Sequence, residues 1–412
     1  MTTPACRFCR APLTHTFLDL GDQPLANSNL TAAELAAGTE RAFPLHARVC
    51  SGCFLVQVDD PVAADAIFDD GYAYFSSYSP SWVAHAKRYA EAMVQRFGLG
   101  PDSLVIEVAS NDGYLLQHFV ALGVPVLGIE PTANTAEAAR ARGVPTEVMF
   151  FDADTGRALA ERGVQADLMA ANNVLAHVPA IGDFVAGFRH VLKPQGVLTF
   201  EFPHFLNLIG QVQFDTIYHE HFSYLSLLAV ERVLRANGLM PFDVELLPTH
   251  GGSLRLFCAR EASGHAETEA LQTLRASEHA AGLDRIETYA GFKTRVDAMR
   301  DSFLAFLARA KAEGKSVAAY GAAAKGNTFL NYCGVTAAQI VAAFDANPVK
   351  QGRHLPGSHV PILAPAAVDE VRPDYLVILP WNLKDEIVGQ LAHIGDWGGR
   401  FVIASPTTRV LD

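Results

Sequence analysis

The chain has 412 residues, half of them apolar, which is too long for one ordinary domain and enough to fill several cores. Its formal charge is -12 and it has no run of Lys and Arg, which argues against nucleic acid or an anionic membrane as the partner. No apolar stretch approaches the length of a membrane span, and the first residues lack the basic and apolar regions of a signal peptide, so we predict a cytoplasmic protein.

Two C-x-x-C pairs stand near the N-terminus, Cys6 with Cys9 and Cys50 with Cys53. Four thiolates form a closed tetrahedral set that suits structural Zn²⁺, and a reducing compartment favours metal binding over disulfides. Apolar residues between the pairs predict a small sheet around the metal. No fifth donor has a fitting spacing, so we expect a structural site; two unrelated pairs of buried thiols are the alternative.

A loop rich in tyrosine precedes the first long predicted helix. It contains Tyr72, Tyr74 and Tyr78, and the helix that follows is expected to begin at Ser79-Pro80 and to end at Gly98. The three tyrosines are candidates to line a pocket. Aromatic packing under a domain junction is the alternative.

The segment from residue 104 to residue 130 predicts a ligand site. An apolar strand (104–108) runs into a turn of small residues (109–113) and then a helix, the arrangement that presents ligands at the carboxyl end of a parallel strand. A second strand (124–129) ends in Glu130, and an acid there can accept both hydroxyls of a ribose. The turn lacks the G-x-G-x-x-G fingerprint, which favours S-adenosylmethionine over NAD. A plain βαβ unit with a solvated acid is the alternative.

Further strands are predicted at 166–171 and 196–202, followed by a hairpin over 240–259. Four parallel strands closed by an antiparallel hairpin are typical of the class I methyltransferase sheet. Polar residues that follow the third strand, His177 among them, should face the same crevice as Glu130. The residues that we predict to bind the cofactor are Glu107, Ser110, Asn111, Gly113, Glu130, Pro131, Asn172 and Asn173.

The densest group of titratable side chains is Tyr218-His219-Glu220-His221. The spacing is not that of H-E-x-x-H, so a zinc peptidase is unfavoured. In an extended segment the two histidines share one face, and Tyr218 and Glu220 share the other; in a turn all four can converge. A structural histidine is the alternative, but four adjacent acid/base groups after a strand of the ligand crevice favour catalysis.

The last third of the chain predicts a helical region (264–313) and then a second α/β unit. The helical region carries an aromatic stripe at helical spacing, which indicates core or domain-bridging packing. The α/β unit has strands at 317–320, 340–344, 375–379 and 401–404. We therefore expect three domains, with boundaries 1–70, 71–262 and 263–412: a small zinc-binding domain, a Rossmann-like class I methyltransferase domain and a second Rossmann-like α/β domain.

The first turn of this second unit carries Lys325, at a helix start that can hold a phosphate. Together with Lys350 and Arg353 it makes a candidate clamp for an anionic group, with Lys350 the weakest member. A stabilising domain without a ligand is the alternative.

Taken together, these motifs resemble the sugar C-methyltransferase family, over nearly the whole chain. The match runs in order through the two C-x-x-C pairs, Tyr-Phe-Ser-Ser-Tyr-Ser (74–79), Glu-Val-Ala-Ser-Asn-Asp-Gly (107–113), Gly-Ile-Glu-Pro (128–131), Asn-Asn-Val-Leu-Ala-His (172–177), Tyr-His-Glu-His-Phe-Ser-Tyr (218–224), Tyr-Gly-Ala-Ala-Ala-Lys-Gly-Asn (320–327) and Asp-Ala-Asn-Pro-Val-Lys-Gln-Gly (345–352).

The resemblance implies an enzyme that uses S-adenosylmethionine to methylate C3 of a nucleotide-linked 4-keto-deoxyhexose, with thymidine the commonest nucleotide and a structural zinc. It implies His221 as the base, with Tyr218, Glu220 and His177 near the sugar and a tyrosine at position 72 or 74. The residues that we predict to contact the substrate are Tyr78, His219, Tyr224, Lys325, Asn327 and Arg353.

The chemistry suits these residue types. The C4 ketone acidifies the proton on C3, imidazole is a suitable base near neutral pH, and a tyrosine hydroxyl can hold the enolate oxygen. An O- or N-methyltransferase acting on a small molecule and a non-catalytic zinc-binding adaptor are the alternatives. The sequence leaves the oligomeric state open between a monomer and a small homo-oligomer.

Overall fold

The computed structural model describes residues 3–59 and 75–411. Within these ranges the strands form three sheets of four, seven and six strands. None of the helices in the described part of the chain is both long and apolar enough to cross a membrane.

The N-terminal unit is a small antiparallel sheet. Its elements are β1 (His15–Pro24), α1 (Ala32–Ala37), β2 (Ala42–Val49) and β3 (Val56–Val58). The strand order places β2 in the middle, and β3 then pairs with a two-residue strand, Ser223–Tyr224, from far along the chain. The predicted sheet between the cysteine pairs is therefore present, and it takes in the residues that directly follow the His219–His221 segment.

The central unit alternates strands and helices. Its elements are α2 (Pro80–Phe97), β4 (Val105–Val108), α3 (Leu116–Ala121), β5 (Val126–Glu130), α4 (Ala133–Ala141), β6 (Thr146–Val148), α5 (Ala153–Glu161), β7 (Ala166–Asn172), α6 (Ile181–Val191), β8 (Leu192–Pro203), α7 (Phe205–Gln211), β9 (Ser223–Tyr224), α8 (Leu227–Ala236), β10 (Leu239–Leu247) and β11 (Ser253–Arg260).

The central sheet has the order β10-β11-β8-β7-β4-β5-β6. Strands β6, β5, β4, β7 and β8 are parallel, and β11 and β10 close the sheet as an antiparallel hairpin. This confirms the predicted class I methyltransferase fold. The sequence analysis counted four parallel strands; the fifth, β6, has only three residues, too few for a periodic pattern to be recognised.

Helix α2 illustrates how local sequence sets the boundaries of an element. The Ser79 side chain accepts a hydrogen bond from the amide of Trp82, Pro80 occupies the first turn, and Gly98 ends the helix in the left-handed conformation at φ 61°. Both predicted ends are confirmed. The helix positions His85 over the end of β8, 3.0 Å from the Glu201 carboxylate.

The C-terminal unit begins with two helices and continues as a second sheet. Its elements are α9 (Glu269–Ala280), α10 (Phe292–Ala312), β12 (Val317–Tyr320), α11 (Ala324–Tyr332), β13 (Ala343–Phe344), β14 (Ile362–Leu363), α12 (Val368–Val371), β15 (Tyr375–Ile378), α13 (Lys384–Gln390), β16 (Arg400–Ile403) and β17 (Arg409–Val410).

The aromatic stripe of α10 joins two units. Its side chains, Phe292 and Phe303 among them, share one hydrophobic core with the N-terminal sheet and with one face of the C-terminal sheet. The sequence predicted this stripe to be core or domain-bridging, and the packing confirms it. The C-terminal sheet has the order β14-β13-β12-β15-β16-β17, parallel except for β17.

Candidate active site and metal centre

The four N-terminal cysteines converge at one point. Their sulfur atoms all lie within 4.8 Å of one another, with Cys6 Sγ 3.6 Å from Cys53 Sγ and Cys9 Sγ 3.4 Å from Cys50 Sγ. A tetrahedral zinc with Zn–S bonds of about 2.3 Å needs sulfur separations of roughly 3.8 Å. The predicted cysteine set therefore fits one zinc ion. Gln57 Nε2 donates to Cys6 Sγ at 3.2 Å and supports this ligand from outside the metal shell.

The turn after β4 is shaped by residues in the left-handed backbone region. Ala109, Asn111 and Gly113 have φ of 56°, 49° and 77°. Such conformations cost non-glycine residues free energy and persist where surrounding structure requires them. In this turn the backbone amide of Asn111 donates to Glu130 Oε2 at 2.8 Å. The backbone amide of Thr132 donates to Glu130 Oε1 at 3.0 Å. The predicted ribose acid is thus fixed in the crevice, at the end of β5.

Two buried polar atoms at the end of β4 have no hydrogen-bond partner in the described part of the chain. They are Glu107 Oε2 and Ser110 Oγ. Burial raises the pKa of Glu107 well above its usual value. Because leaving a buried polar atom unsatisfied is costly, these atoms indicate a place where a polar ligand completes the structure.

The end of β7 contributes two further polar side chains. Asn172 Oδ1 and Asn173 Oδ1 are buried without a partner among the described residues. Asn173 has φ 56°, and its backbone amide donates to the Glu201 carbonyl at 2.6 Å. Its side-chain amide lies 3.5 Å from His250 Nε2. The end of β7 is therefore connected to the end of β8 and to the turn of the closing hairpin.

His221 lies at the centre of the predicted acid/base cluster. Its Nδ1 is 2.8 Å from the Thr216 carbonyl, which can only accept, so Nδ1 carries the proton. Its Nε2 is then the acceptor for the Tyr218 hydroxyl, at 2.7 Å. The ring of His177 packs edge-on against the His221 ring at 4.6 Å. Tyr218, His221 and His177 are thus brought together, as the sequence analysis expected.

Both of these histidines are held in the neutral form. Burial lowers the pKa of His221 well below its usual value; repulsion from His177 and His250 when they are protonated and from Lys325 adds to this, and the hydrogen bond to the Thr216 carbonyl opposes it. Burial also lowers the pKa of His177 to about 4, although a hydrogen bond to the Glu220 backbone opposes this. At neutral pH the Nε2 atom of His221 therefore carries no proton, and its lone pair accepts the hydrogen bond from the Tyr218 hydroxyl.

His219, Glu220 and Tyr224, the neighbouring residues of the cluster, have surroundings different from those of His221. His219 lies close to the N-terminal unit, with Nε2 3.3 and 3.2 Å from the carbonyls of Phe43 and Pro44. Glu220 Oε1 accepts from Asn27 Nδ2 at 2.7 Å. Tyr224 is buried in β9, and burial raises its pKa. Of the four adjacent groups, Tyr218 and His221 face each other, whereas His219 is turned into the N-terminal sheet.

The C-terminal unit reaches the same crevice through Lys325 and Trp381. Lys325 Nζ lies 4.8 Å above the Trp381 ring and donates to Asn382 Oδ1 at 2.7 Å. Trp381 Nε1 donates to the buried Asp215 at 2.7 Å, and its ring packs on Gly251, which directly follows His250. Burial lowers the pKa of Lys325, and the Asp215 charge opposes this.

The other predicted cations do not form a clamp with Lys325 among the described contacts. Lys350 Nζ donates to the Ala322 carbonyl at 2.8 Å, and Arg353 Nη1 donates to the Asn29 carbonyl at 3.2 Å. Asn327 is buried, and its Nδ2 donates to the Ala26 carbonyl at 2.6 Å. Arg353 and Asn327, both predicted substrate contacts, thus bind the N-terminal unit.

The predicted tyrosine loop is only partly described. Tyr72 and Tyr74 lie outside the described residues. Tyr78 is 63% exposed and stacks on Phe75 with ring centroids 5.3 Å apart.

Sequence reasoning missed a buried network beside the crevice. Glu201, at the end of β8, accepts from Arg255 Nη2 at 2.9 Å and from Thr249 at 3.2 Å, and it lies 3.0 Å from His85 Nε2. Burial opposes ionisation of Glu201, but the His85 hydrogen bond and the Arg255 charge lower its pKa overall. The partners come from α2, from β11 and from the turn between β10 and β11, so no local sequence motif predicts this network. Glu201 at the end of a crevice strand was the signal available.

Comparison with known proteins agrees with this geometry. Family models match residues 6–68 ("Putative zinc binding domain"), 82–242 ("Methyltransferase domain") and 248–406 ("C-methyltransferase C-terminal domain"). The C-methyltransferase NovU of Streptomyces niveus is 35% identical over 406 residues, which cover 98% of this chain and 96% of that protein. The chain belongs to the C-methyltransferase family.

More distant relatives match only part of the chain. The ubiquinone biosynthesis O-methyltransferase of Bartonella bacilliformis is 25% identical over 129 residues, 29% of this chain and 51% of that protein. The magnesium protoporphyrin IX methyltransferase of Synechocystis PCC 6803 is 16% identical, with a TM-score of 0.34 over 48% of this chain and 89% of that one. Neither likeness bears on what this C-methyltransferase acts on.

The C-methyltransferase depends on S-adenosylmethionine and carries a structural zinc. The Cys₄ cluster provides the ligand set for the zinc ion. Membership of an enzyme family also removes the non-catalytic adaptor as an alternative.

Proposed function

We propose that this C-methyltransferase methylates C3 of a nucleotide-linked 4-keto-deoxyhexose, with dTDP as the nucleotide. The observation that carries the proposal is the neutral His221 ring, whose Nδ1 is fixed by the Thr216 carbonyl and whose Nε2 faces the Tyr218 hydroxyl. A base of this kind suits removal of a proton next to a ketone, which an O- or N-methyltransferase does not require.

In this proposal the Tyr218 hydroxyl turns from His221 Nε2 to the C4 oxygen of the bound sugar, and the freed Nε2 accepts the C3 proton. The ring becomes an imidazolium whose Nδ1–H donates to the Thr216 carbonyl. The electrons of the C3–H bond form an enolate with the C4 oxygen, and the Tyr218 hydroxyl stabilises that oxygen. The chemistry that bound S-adenosylmethionine supplies is an electrophilic methyl group. The remaining work of the chain is to align C3 with that group and to exclude water.

The cofactor residues have distinct proposed tasks. Glu130 binds the ribose, Glu107, Ser110, Asn111 and Gly113 line the methionine end, and Pro131, Asn172 and Asn173 border the crevice. Support comes from the fixed position of Glu130 and from the unsatisfied atoms at the ends of β4 and β7.

The sugar is proposed to lie between these residues and the Tyr218–His221 pair, with His177 and Glu220 beside it. Tyr72 or Tyr74 is the proposed loop tyrosine, and Tyr78, Tyr224 and Lys325 remain proposed substrate contacts. Residues 1–70, 71–262 and 263–412 are the proposed units. Reduced thiolates in the zinc site support the cytoplasm as the place of action.

The test is His221→Asn. It should bind both substrates almost normally and lose about a hundredfold or more in turnover, measured by mass spectrometry with a set of nucleotide 4-keto-deoxysugars. It should also fail to wash deuterium into C3. Tyr218→Phe is the matched control, because it keeps the base: it should slow methyl transfer while retaining exchange.

Two outcomes would contradict the proposal. Near-parent turnover of His221→Asn would move the base to His177, since His219 is bound to backbone carbonyls of the N-terminal unit. Methylation of a substrate without a 4-keto group, and of no 4-keto sugar, would favour the O- or N-methyltransferase alternative.

A further inference from the structure

The segment of residues 26–30, between β1 and α1, connects the zinc-bearing unit to the acid/base cluster. Asn27 Nδ2 donates to Glu220 Oε1 at 2.7 Å. Glu220 is buried whereas Asn27 is exposed, so the amide lies on the solvent side of the carboxylate. No described residue donates to Glu220 Oε2.

The C-terminal unit holds this segment in place. Asn327 donates to the Ala26 carbonyl at 2.6 Å, and Arg353 donates to the Asn29 carbonyl at 3.2 Å. Leu30 then exchanges two backbone hydrogen bonds, of 2.9 and 2.8 Å, with a C-terminal loop. Asn27 therefore sits on a backbone that is fixed on both sides.

The same N-terminal unit also holds the chain that follows Glu220. Strand β3 pairs with β9, with Gln57 opposite Ser223. Gln57 in turn donates to the zinc ligand Cys6. The metal centre and Glu220 thus share one rigid support, and Asn27 is the side chain of the 26–30 segment that contacts the carboxylate.

We propose that Asn27 is a positioning residue of the active site, which holds the Glu220 carboxylate in its working orientation. The inference rests on the proposed function, in which Glu220 lies beside the sugar. It gives the N-terminal unit a task in the reaction that a structural zinc alone does not explain.

Electrostatics set the sign of the expected effect. Burial raises the pKa of Glu220, while the Asn27 hydrogen bond and the Lys350 charge lower it. The third group that faces this residue is the His177 ring, which hydrogen-bonds its backbone. Removing the Asn27 amide leaves the effect of burial less opposed, so the pKa of Glu220 rises and the ionised form is lost at a higher pH.

The experiment compares Asn27→Ala with Ser28→Ala in the zinc-loaded full chain. Ser28 is the exposed neighbour, and its side chain makes no hydrogen bond to the described residues. Asn27→Ala should lower kcat about tenfold, leave KM for S-adenosylmethionine unchanged and move the acid limb of the kcat profile to higher pH. Asn27→Asp keeps the side-chain shape but adds a second carboxylate, so it should move the limb further. Ser28→Ala should behave as the parent.

A double-mutant cycle with Glu220→Gln decides whether Asn27 acts through Glu220. In the Glu220→Gln background, Asn27→Ala should cost almost nothing more. The same loss of kcat in both backgrounds would overturn the inference, as would a parent-like pH profile of Asn27→Ala.

A measurement without turnover separates this inference from the proposed function. Titration of Glu220 can be followed by carboxyl infrared bands, in difference spectra against Glu220→Gln. Asn27→Ala should shift the titration upward even if the parent methylates no 4-keto sugar. An unshifted titration would overturn the role of Asn27, whereas an inactive parent with a shifted titration would refute only the proposed sugar substrate.

Discussion

The central and C-terminal sheets contain the same local device. In each, a strand runs into a turn and a helix, and the next strand ends in an acid that accepts from the turn. Glu130 accepts from the Asn111 and Thr132 amides at 2.8 and 3.0 Å. Asp345 accepts from the backbone amide of Ala322 at 2.6 Å and from the backbone amide of Asn347 at 2.8 Å.

The two turns differ in what their other polar atoms do. The central turn leaves Glu107 Oε2 and Ser110 Oγ buried without a described partner. At the C-terminal turn, Lys350 donates to the Ala322 carbonyl, Lys325 donates to Asn382, and Gly321 packs against a proline ring. The polar groups named at the C-terminal turn are therefore used in contacts within the protein, whereas these two atoms of the central turn have no described partner, which supports the proposal that the central turn binds the cofactor.

The largest expected effect concerns the two acids. Glu130→Ala should weaken binding of S-adenosylmethionine roughly tenfold to a hundredfold, because the carboxylate proposed to accept from the ribose hydroxyls is lost. Asp345→Ala, the matched change in the other sheet, should leave the affinity unchanged. Isothermal titration calorimetry measures both. Equal losses of affinity in the two variants would show that the two turns do not differ in cofactor binding. An unchanged affinity of Glu130→Ala would refute the proposed ribose role of Glu130.

An intermediate effect is expected at Lys325, which the C-terminal turn directs toward the active site. Burial is the largest cause of the low pKa of His221 and the Lys325 charge is a smaller one, so Lys325→Met should raise that pKa by a modest amount. The acid limb of the kcat profile should then move to higher pH, while turnover at neutral pH changes little because burial still holds that pKa below neutral. Lys384→Met is the control, since that exposed lysine pairs with Asp385. An unmoved limb would show that Lys325 serves only the contact between units.

The smallest effect is expected at the contact between the C-terminal and central units, here called the seam, where Trp381 meets Asp215 and Gly251. Trp381→Phe keeps a ring against Gly251 but removes the donor to the buried Asp215, so unfolding free energy should fall by about 1 kcal/mol. Trp397→Phe is matched, because its indole donates to the Pro373 carbonyl at 3.2 Å, away from the seam. Thermal unfolding should show the greater loss for Trp381→Phe. The reverse order would mean that the seam bond contributes little.

Much of the fold was predictable from short-range pattern. Buried parallel strands are apolar runs bounded by turn residues, and helix caps have local signatures, so the ends of α2 and the core strands β4, β5, β7 and β8 were found. Strand β6 was missed because it has three residues and lies at an edge. The helical region 264–313 resolves into two helices, α9 and α10, separated by a break that the sequence analysis did not place.

The sequence by itself determined the candidate functional residues: two cysteine pairs, the acid Glu130 at the end of β5 and the Tyr218–His221 cluster. These lie close together in the chain or at strand ends, where spacing alone constrains their geometry. Only the tertiary structure decided their partners. Asn27 meets Glu220 across 193 residues, and Trp381 meets Asp215 across 166. Such contacts depend on how the three units pack. The residues that flank such a side chain in the sequence therefore do not reveal its distant partner.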